Sequence, residues 1–222
     1  MTISRKMRLM IAAGGVAVAV SGCGLRSGPP PPMVTPAAFT PLGVDAPYLS
    51  GDIIDGTRAR AAKMRSAKIR PLSPAAAPAY MGATVAELRR QTAGIGIDVL
   101  TLRNGVVIRI PATLTFESGS STIAPQIRAT LHELARTLKT EPQSYIDVYA
   151  HTDTTGTPEI NKALSAKRAN AVATFLSSDG VAKARIAARG FGENAPIYFP
   201  DDSEMQRAAN RRVEIRLVPF TG

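Results

Sequence analysis

The stretch of sequence that decides the fold is IDVYAHTDTTGTPEINKALSAKRANAVATFL, residues 146–176. Its first part predicts a β-strand, because Ile146, Val148 and Ala150 recur at the two-residue period of a strand. A loop of Thr, Asp and Gly follows. Thr157 then fits the N-cap of a helix, and Pro158 fits its first turn, where a missing N–H is tolerated. The stretch therefore predicts a strand, a polar loop and a long helix.

The long helix is predicted to have two different faces. One is an apolar stripe for the core, made of Leu164, Val172, Phe175 and Leu176. Polar residues at i, i+4 and i+7 share the other face: Asn161, Ser165 and Arg168. Asp153 lies in the loop before the helix. We therefore expect Asp153 and the polar face to meet at one end of a sheet.

Patterns on both sides extend this unit into a domain. Asn104-Gly105 between two apolar runs predicts a β-hairpin, because Asn-Gly accepts the positive φ angles of a tight turn. Apolar spacing predicts a helix over about 122–140, strands near 186–188 and 213–217, and a helical turn at 204–209. The expected fold is α+β: a two-layer sandwich over residues 94–222, in which two main helices cover one face of a mixed β-sheet.

The composition limits the chemistry of this domain. The 222 residues include one Cys and two His, His132 and His151, which excludes a disulfide framework, a Cys-rich zinc site and a three-His metal centre. Glu117, Asp153 and Glu193 fall on different loops, and no Ser has a plausible His–Asp pair, so no hydrolytic constellation is indicated. We predict no catalytic residue, no metal and no cofactor.

The N-terminus has the pattern of an export signal. Three cations within residues 5–8 precede an apolar run, Leu9–Val20. As a helix this run would be about 18 Å long, too short for a ~30 Å hydrocarbon core. It is predicted to export the chain without anchoring it.

The end of this segment, Val20-Ser21-Gly22-Cys23, resembles a bacterial lipobox. The resemblance implies a signal peptide over 1–22 and acyl chains on Cys23, which would hold the mature protein on a membrane. Gly24 follows, where an Asp is the usual signal for inner-membrane retention. An outer-membrane lipoprotein with its domain in the periplasm is therefore implied.

Residues 23–93 are predicted to be a lipidated N-terminus and a flexible Pro/Ala-rich, basic tether. Seven Pro residues up to Pro47 disfavour helix and sheet. A helix over 57–69, ended by Pro71, and a short helix over 85–90 are the regular elements expected there.

The tether also concentrates positive charge. Residues 23–90 hold nine basic and four acidic residues, and six cations fall within 58–70: Arg58, Arg60, Lys63, Arg65, Lys68 and Arg70. Nucleic acid is a poor partner for an exported chain without interleaved aromatic residues. Anionic lipid headgroups fit better. A plain solvated segment is nevertheless the favoured interpretation, because these charges would spread all around a helix and imply no amphipathic face.

Three motifs, in order, resemble the OmpA-like peptidoglycan-binding domain, which also occurs in peptidoglycan-associated lipoproteins and flagellar stator proteins. They are AHTDTTG (150–156), NKALSAKRA (161–169) and NRRVEI (210–215), with two further landmarks, FESGSSTI (116–123) and GFG (190–192). The resemblance covers about residues 94–220. Ala150 replaces the family's usual Gly, which matters only if that position needs a positive φ.

The resemblance implies a binding site. The family's matching Asp and Arg bind the amino and carboxylate groups of diaminopimelate in the peptide stem, which assigns these roles to Asp153 and Arg168. Thr155 and Asn161 are implied as supporting hydrogen-bond partners. The charges of these two residues fit this role, because a carboxylate beside a planar guanidinium is complementary to a zwitterionic ligand. An internal Asp153–Arg168 salt bridge is the alternative.

Arg211 and Arg212 are further candidates. Adjacent residues on a strand point to opposite faces, so at most one should contact the ligand. The sequence does not choose between them, and a structural ion pair fits either one equally well.

We therefore expect non-catalytic binding of peptidoglycan by a lipid-anchored domain that tethers the outer membrane to the cell wall. One alternative is an interaction scaffold of an envelope complex, engaged through residues 24–90. Another is a peptidoglycan hydrolase. Neither a protein partner nor an oligomeric state is indicated by the sequence.

Overall fold

Five strands form one mixed sheet in the computed structural model, which describes residues 46–222. The strands are β1 (Asp98–Leu102), β2 (Gly105–Pro111), β3 (Ser144–His151), β4 (Ile186–Gly192) and β5 (Arg212–Pro219). Their order is β1-β2-β5-β3-β4; β3 and β4 are parallel, and the other neighbours are antiparallel. The predicted hairpin forms, but its two turn residues are Arg103 and Asn104, and Gly105 begins β2 opposite Leu102. The positive φ expected of Asn104-Gly105 is not present at either residue. The predicted α+β class is confirmed.

The described helices are α1 (Pro47–Ser50), α2 (Thr57–Ser66), α3 (Ala77–Thr92), α4 (Ala112–Thr115), α5 (Pro125–Thr140), α6 (Pro158–Ser178) and α7 (Glu204–Asn210). The predicted cap of α6 is present, since the Thr157 side chain accepts a hydrogen bond from the Ile160 N–H. Within residues 46–222, no helix combines the length and apolar character needed to cross a membrane.

The main core lies on one face of the sheet, under α3, α5 and α6. Three strands contribute alternating apolar residues to it: Val106, Ile108 and Ile110; Ile146, Val148 and Ala150; Val213, Ile215 and Leu217. The helices bury Leu88, Leu131, Leu134, Val172 and Leu176 against them. The two predicted helices are therefore joined by α3, which the sequence pattern indicated only as a short helix.

The opposite face of the sheet is covered by residues 46–69, and this corrects the tether prediction for the described part of residues 23–93. Leu49 and Ile54 pack against Val107 and Tyr149. A neighbouring cluster joins Ile53, Ala61 and Met64 to Tyr145 and Phe220. The physical reason is that these strand side chains are too apolar to be left in water. Residues 1–45, with the signal peptide, Cys23 and most of the Pro-rich stretch, lie outside the described residues.

Arg60 corrects the interpretation of residues 58–70 as uniformly solvated. Its side chain is 2% exposed and forms an ion pair with Asp147 on β3. It also donates to the backbone carbonyls of Ile146, at 3.1 Å, and of Arg185. α2 is therefore held to the sheet by a buried charge pair as well as by Met64.

Helix α6 lies unusually close to β4 at Gly190. A Cβ at this position would lie 2.2 Å from the Ala166 backbone nitrogen, closer than real Cβ atoms approach. This close contact gives the Gly-Phe-Gly landmark a structural reason. Ala150, by contrast, lies in β3, and among the described residues the non-glycine positions with positive φ are Asp55 and Lys68. The family's usual Gly is therefore not needed at position 150.

Candidate functional site

A groove of about 630 Å³ opens beyond the C-terminal end of β3. Three parts of the chain form its walls: residues 112–119, the 152–155 loop with the first half of α6, and α7 with the residue before β5. Three of the charged residues that line it are cationic and three are anionic: Arg168, Arg207 and Arg211; Glu117, Asp153 and Glu204. The groove therefore offers both signs of charge to one ligand.

Asp153 lies at the floor of the groove and is 6% exposed. Its Oδ1 accepts a hydrogen bond of 3.1 Å from the Thr155 N–H, which closes the loop on itself. Its Oδ2 accepts from Arg211 at 2.6 Å. The ion pair of Asp153 is thus with Arg211, and no ion pair with Arg168 forms within the described part of the chain.

Arg168 lies across the groove from this pair and is 7% exposed. Its Nε donates to the Ser120 carbonyl at 2.9 Å, and its guanidinium lies 5.1 Å from the centre of the Phe116 ring. Burial lowers the pKa of Arg168, the charge of Asp153 opposes this, and the charge of Arg211 adds to it. The landmark at 116–123 therefore holds the arginine in place.

The polar face of α6 is not separate from its buried face, contrary to the prediction. Asn161, Ser165 and Arg168 are all buried, on one stripe with Ala169, Val172 and Leu176, whereas Leu164 and Phe175 are only partly buried. The cause is β4, whose Gly192 N–H donates to Ser165 Oγ at 2.8 Å. Close backbone packing at the glycines needs small and polar partners on the helix.

The two predicted supporting residues have different surroundings. Asn161 is buried and donates from Nδ2 to the Asp153 carbonyl at 3.3 Å and to Glu193 at 2.7 Å, so it fixes the loop backbone. Thr155 is exposed and lines the groove. The structure thus brings both residues to the groove, Asn161 beneath the loop and Thr155 at its surface.

Asp201 and Asn210 support the loop from the other side, and sequence reasoning missed their role. Asp201 accepts hydrogen bonds from the Thr154 N–H, at 3.1 Å, and from its hydroxyl, while Asn210 Nδ2 donates to Asp201 at 3.0 Å. Burial would raise the pKa of Asp201, but these hydrogen bonds outweigh it and hold the pKa below the ordinary value. Asn210 opens the NRRVEI motif, which was the available signal.

The structure separates Arg211 from Arg212. Arg211 faces the groove and contacts Asp153 and Glu204. Arg212 is buried on the opposite face of the sheet, where it pairs with Glu214 at 2.9 Å and donates to the Tyr48 hydroxyl at 2.9 Å. Arg211 is therefore the one that can meet a ligand in the groove.

His151 ends β3 but lies on the face away from the groove. It is fully buried, stacks on Phe191 and has Nε2 3.4 Å from Glu214. Burial lowers its pKa to about 4. Within residues 46–222 there is no group of three or more His, Cys, Asp or Glu side chains arranged to hold a metal ion. His132 is exposed on α5 and pairs with Asp179 at 2.8 Å.

Comparison with known proteins gives matches over the same region. Residues 115–211 match the OmpA family. The chain is 37% identical over 141 residues to the probable lipoprotein YiaD of Escherichia coli (strain K12), covering 64% of each protein. It is 34% identical over 116 residues to the peptidoglycan-associated lipoprotein of Pseudomonas aeruginosa, covering 52% of this chain and 68% of that protein. This chain therefore spans about two thirds of the length of these relatives.

A solved structure agrees in fold. The cell wall anchor of the T6SS from Pseudomonas aeruginosa superposes on this chain with a TM-score of 0.54 at 26% identity. The superposition covers 60% of this chain and 96% of that one.

Proposed function

The chain belongs to the OmpA family, and on that premise we propose that the groove binds the peptide stem of peptidoglycan. We further propose that acyl chains on Cys23 hold the protein on the outer membrane with the domain in the periplasm. The protein would then tie the membrane to the cell wall without catalysing a reaction. The names of the relatives, a peptidoglycan-associated lipoprotein and a cell wall anchor, support this proposal.

The observation that carries the proposal is the incomplete satisfaction of Arg168. Within residues 46–222 this buried guanidinium makes one hydrogen bond, through Nε, and its two terminal nitrogens have no protein partner. Neither nitrogen is among the fully shielded, unpaired polar atoms of the described residues, so both are accessible from the groove that Arg168 lines. A ligand carboxylate would satisfy both with two parallel charge-assisted hydrogen bonds.

Asp153 is suited to the opposite end of the same ligand. A carboxylate offers about four acceptor positions, and the described residues use two of them, for the Thr155 N–H and Arg211. An ammonium group can therefore bind without displacing either donor. Arg211 can also swing toward Glu204, which already accepts from it.

Diaminopimelate is the stem residue that fits this pair. The free end of its side chain carries an ammonium and a carboxylate on one carbon, which matches Asp153 and Arg168. The groove volume, about 630 Å³, lies within the usual range for a small-molecule site, roughly 300–1,000 Å³. The family resemblance supports the same ligand.

Non-catalytic binding is supported by the state of two of the three carboxyl groups that line the groove, Asp153 and Glu204, since both are paired with Arg211. A glycosidase needs one carboxyl group with a raised pKa. The hydrogen bond from Arg211 instead lowers the pKa of Glu204, and Asp153 is held in an ion pair. Hydrolysis of purified sacculi by the chain would decide in favour of the hydrolase alternative.

The reach of the proposed link follows from the fold. Ala46 already packs against the sheet. Residues 23–46, which are 24 residues, span at most about 80 Å when fully extended. The domain would therefore meet the wall close to the membrane.

The binding proposal is tested with purified sacculi. The chain from residue 23 onward, with Cys23→Ser, keeps residues 46–222, where every described contact lies. We expect it to sediment with sacculi, free diaminopimelate to release it, and Asp153→Ala to abolish most binding. Asp98→Ala, which removes an exposed carboxylate on β1, is the matched control. Normal sedimentation of Asp153→Ala, or no competition by diaminopimelate, would contradict the proposed ligand.

The lipid anchor is tested separately in cells. Full-length Cys23→Ser should leave the membrane fraction after a high-salt wash, which removes charge-dependent binding. If the variant stays with the membranes after that wash, the lipid anchor is refuted.

A further inference from the structure

The exposed side of α2, with the four residues after it, carries five cations that we name the α2 basic face: Arg58, Lys63, Arg65, Lys68 and Arg70. All five side chains are exposed, while Arg60, Ala61 and Met64 hold the inner side of the helix against the sheet. None of the five forms an ion pair with a described residue. Arg65 alone has a contact of note, 5.5 Å from the centre of the Phe220 ring.

The absence of acidic residues distinguishes the α2 basic face from the other described helices that carry cations, because α3, α5, α6 and α7 each contain a Glu. Arg90, Arg136 and Arg207 each pair with a Glu three residues earlier on the same helix. Residues 57–70 contain no acidic residue, and the two nearest in sequence, Asp52 and Asp55, precede the helix. Between the cations lie Ala59 and Ala62, which are too short to keep a flat surface away.

The α2 basic face and the groove lie at different distances along strand β3. The inner side of α2 contacts Tyr145, near the start of β3. The groove lies beyond the end of the same strand, where Asp153 follows His151. Eight residues of extended chain separate Tyr145 from Asp153, or about 25 Å. The basic face and the groove therefore lie toward opposite ends of the sheet.

We propose that the α2 basic face docks on a membrane surface of anionic phospholipid headgroups. Charge complementarity argues for this partner, because each Lys or Arg near such a surface contributes about a fivefold increase in binding. The short connection to Cys23 would keep the face within reach of the membrane. Resting on the function proposed above, the docked orientation would direct the groove away from the membrane and toward the wall.

The experiment measures co-sedimentation with lipid vesicles. The probe is a vesicle of phosphatidylglycerol and phosphatidylcholine, compared with one of phosphatidylcholine alone. The protein is again the chain from residue 23 onward with Cys23→Ser, which carries no acyl chain. One variant combines Arg58→Gln, Lys63→Gln and Arg70→Gln. The matched control loses the same three charges at exposed positions elsewhere: Arg103→Gln, Lys167→Gln and Arg189→Gln.

We expect binding to the anionic vesicle only, weakened by added salt. The α2 variant should bind about a hundredfold more weakly, the combined effect of three charges at about fivefold each. The control variant should bind within a fewfold of the parent chain. Equal losses in both variants, or no binding by the parent chain, would overturn the proposal; the second result would leave an acidic protein partner as the occupant.

Sacculus sedimentation of the same α2 variant separates this proposal from the function proposed above. Wall binding uses the groove alone, so it should be unchanged when vesicle binding is lost. Loss of vesicle binding with normal wall binding supports the docking surface. A parent chain that binds vesicles but not sacculi would refute the wall function and leave the docking surface intact.

Discussion

Buried arginines occur in two regions of this protein, and they differ in how completely they are satisfied. Under residues 46–69, Arg60 and Arg212 each combine a buried acidic partner with backbone carbonyls. In the groove, Arg168 has one hydrogen bond and an aromatic ring. The first arrangement holds parts of the chain together. The second leaves donors available to a ligand.

The pKa values show the same contrast. Burial lowers the pKa of Arg168, and the nearby charges do not compensate. Burial acts in the same direction on Arg212, but Glu214 and the Tyr48 hydroxyl outweigh it, so the pKa of Arg212 is raised.

Arg185 shows that a lowered pKa is not enough to mark a binding site. Burial lowers its pKa to about 10, but it donates to the Ser144, Leu138 and Glu141 carbonyls, whereas Arg168 keeps its terminal nitrogens unpaired within the described residues.

The largest expected effect is on stability. It concerns the face of the sheet that residues 46–69 cover, which we call the second face. Arg60→Ala removes the nearer cation of buried Asp147, which keeps Arg216 at 3.9 Å, and takes a donor from two backbone carbonyls. The free energy of unfolding should fall by about 3–5 kcal/mol. Denaturant titration measures it, with exposed Arg58→Ala as a control expected within about 0.5 kcal/mol of the parent. A loss below about 1 kcal/mol would mean that the ion pair does not hold α2.

The next effect is on binding, in the groove. Arg168→Ala should weaken sacculus binding by about 2–5 kcal/mol, because a ligand carboxylate then lacks its partner in a partly desolvated site. The free energy of unfolding should change by about 1 kcal/mol or less, since relief of the desolvation of Arg168 offsets the lost ring contact and the lost hydrogen bond to Ser120.

Arg168→Lys sharpens this test. It keeps the charge but loses the planar fork, so binding should fall between the parent and Arg168→Ala while stability stays the same. Lys167→Ala, on the exposed side of α6, is the control. If Arg168→Ala unfolds easily and the folded fraction binds normally, the two regions do not differ as described.

The third effect is a pH dependence of the free energy of unfolding, caused by His151, which is buried on the second face. The pKa of His151 is about 4 in the folded protein, against an ordinary value of 6.5, because burial disfavours the charged ring. The unfolded chain therefore takes up a proton first, and stability that is complete above about pH 6.5 is lost as the pH falls toward 4. From pH 7 to pH 5 the loss should be about 2 kcal/mol.

Denaturant titrations at several pH values measure this loss. His151→Asn should remove most of the slope between pH 7 and pH 5. An unchanged slope in the variant would show that another group titrates there. Wall binding per folded molecule should follow the groove residues and not this histidine.

The smallest effect tests how residues 46–50 are attached. The Tyr48 hydroxyl donates to Glu214 at 2.6 Å and accepts from Arg212 at 2.9 Å. Tyr48→Phe should lower the free energy of unfolding by about 1–2 kcal/mol, because both charged partners lose a hydrogen bond. Faster amide hydrogen exchange confined to residues 46–50 would accompany it. No change in either measurement would mean that the hydroxyl is dispensable.

Local patterns predicted much of the domain. The apolar spacing of α5, the cap of α6 and the β1–β2 hairpin each depend on neighbouring residues, so the sequence displays them directly. The sequence likewise displays the loop that carries Asp153 and shows that this loop precedes the helix that carries Arg168. The cover over the second face was missed because Pro, Ala and Arg dominate residues 57–78. In such a segment, only contacts with the sheet stabilise the helices.

The sequence by itself determined the α+β class, the main elements and the family resemblance that brought Asp153 and Arg168 together. Only the tertiary structure decided that Arg211 faces the groove and Arg212 the opposite face, that Arg60 is buried while Arg58 is not, and that Asp201 supports the loop. The physical reason is the range of the interactions. The apolar periodicity and the helix caps depend on a few neighbouring residues, whereas Arg60 meets Asp147 across 87 residues of chain. An alternating pattern also does not say which face of a strand will be covered.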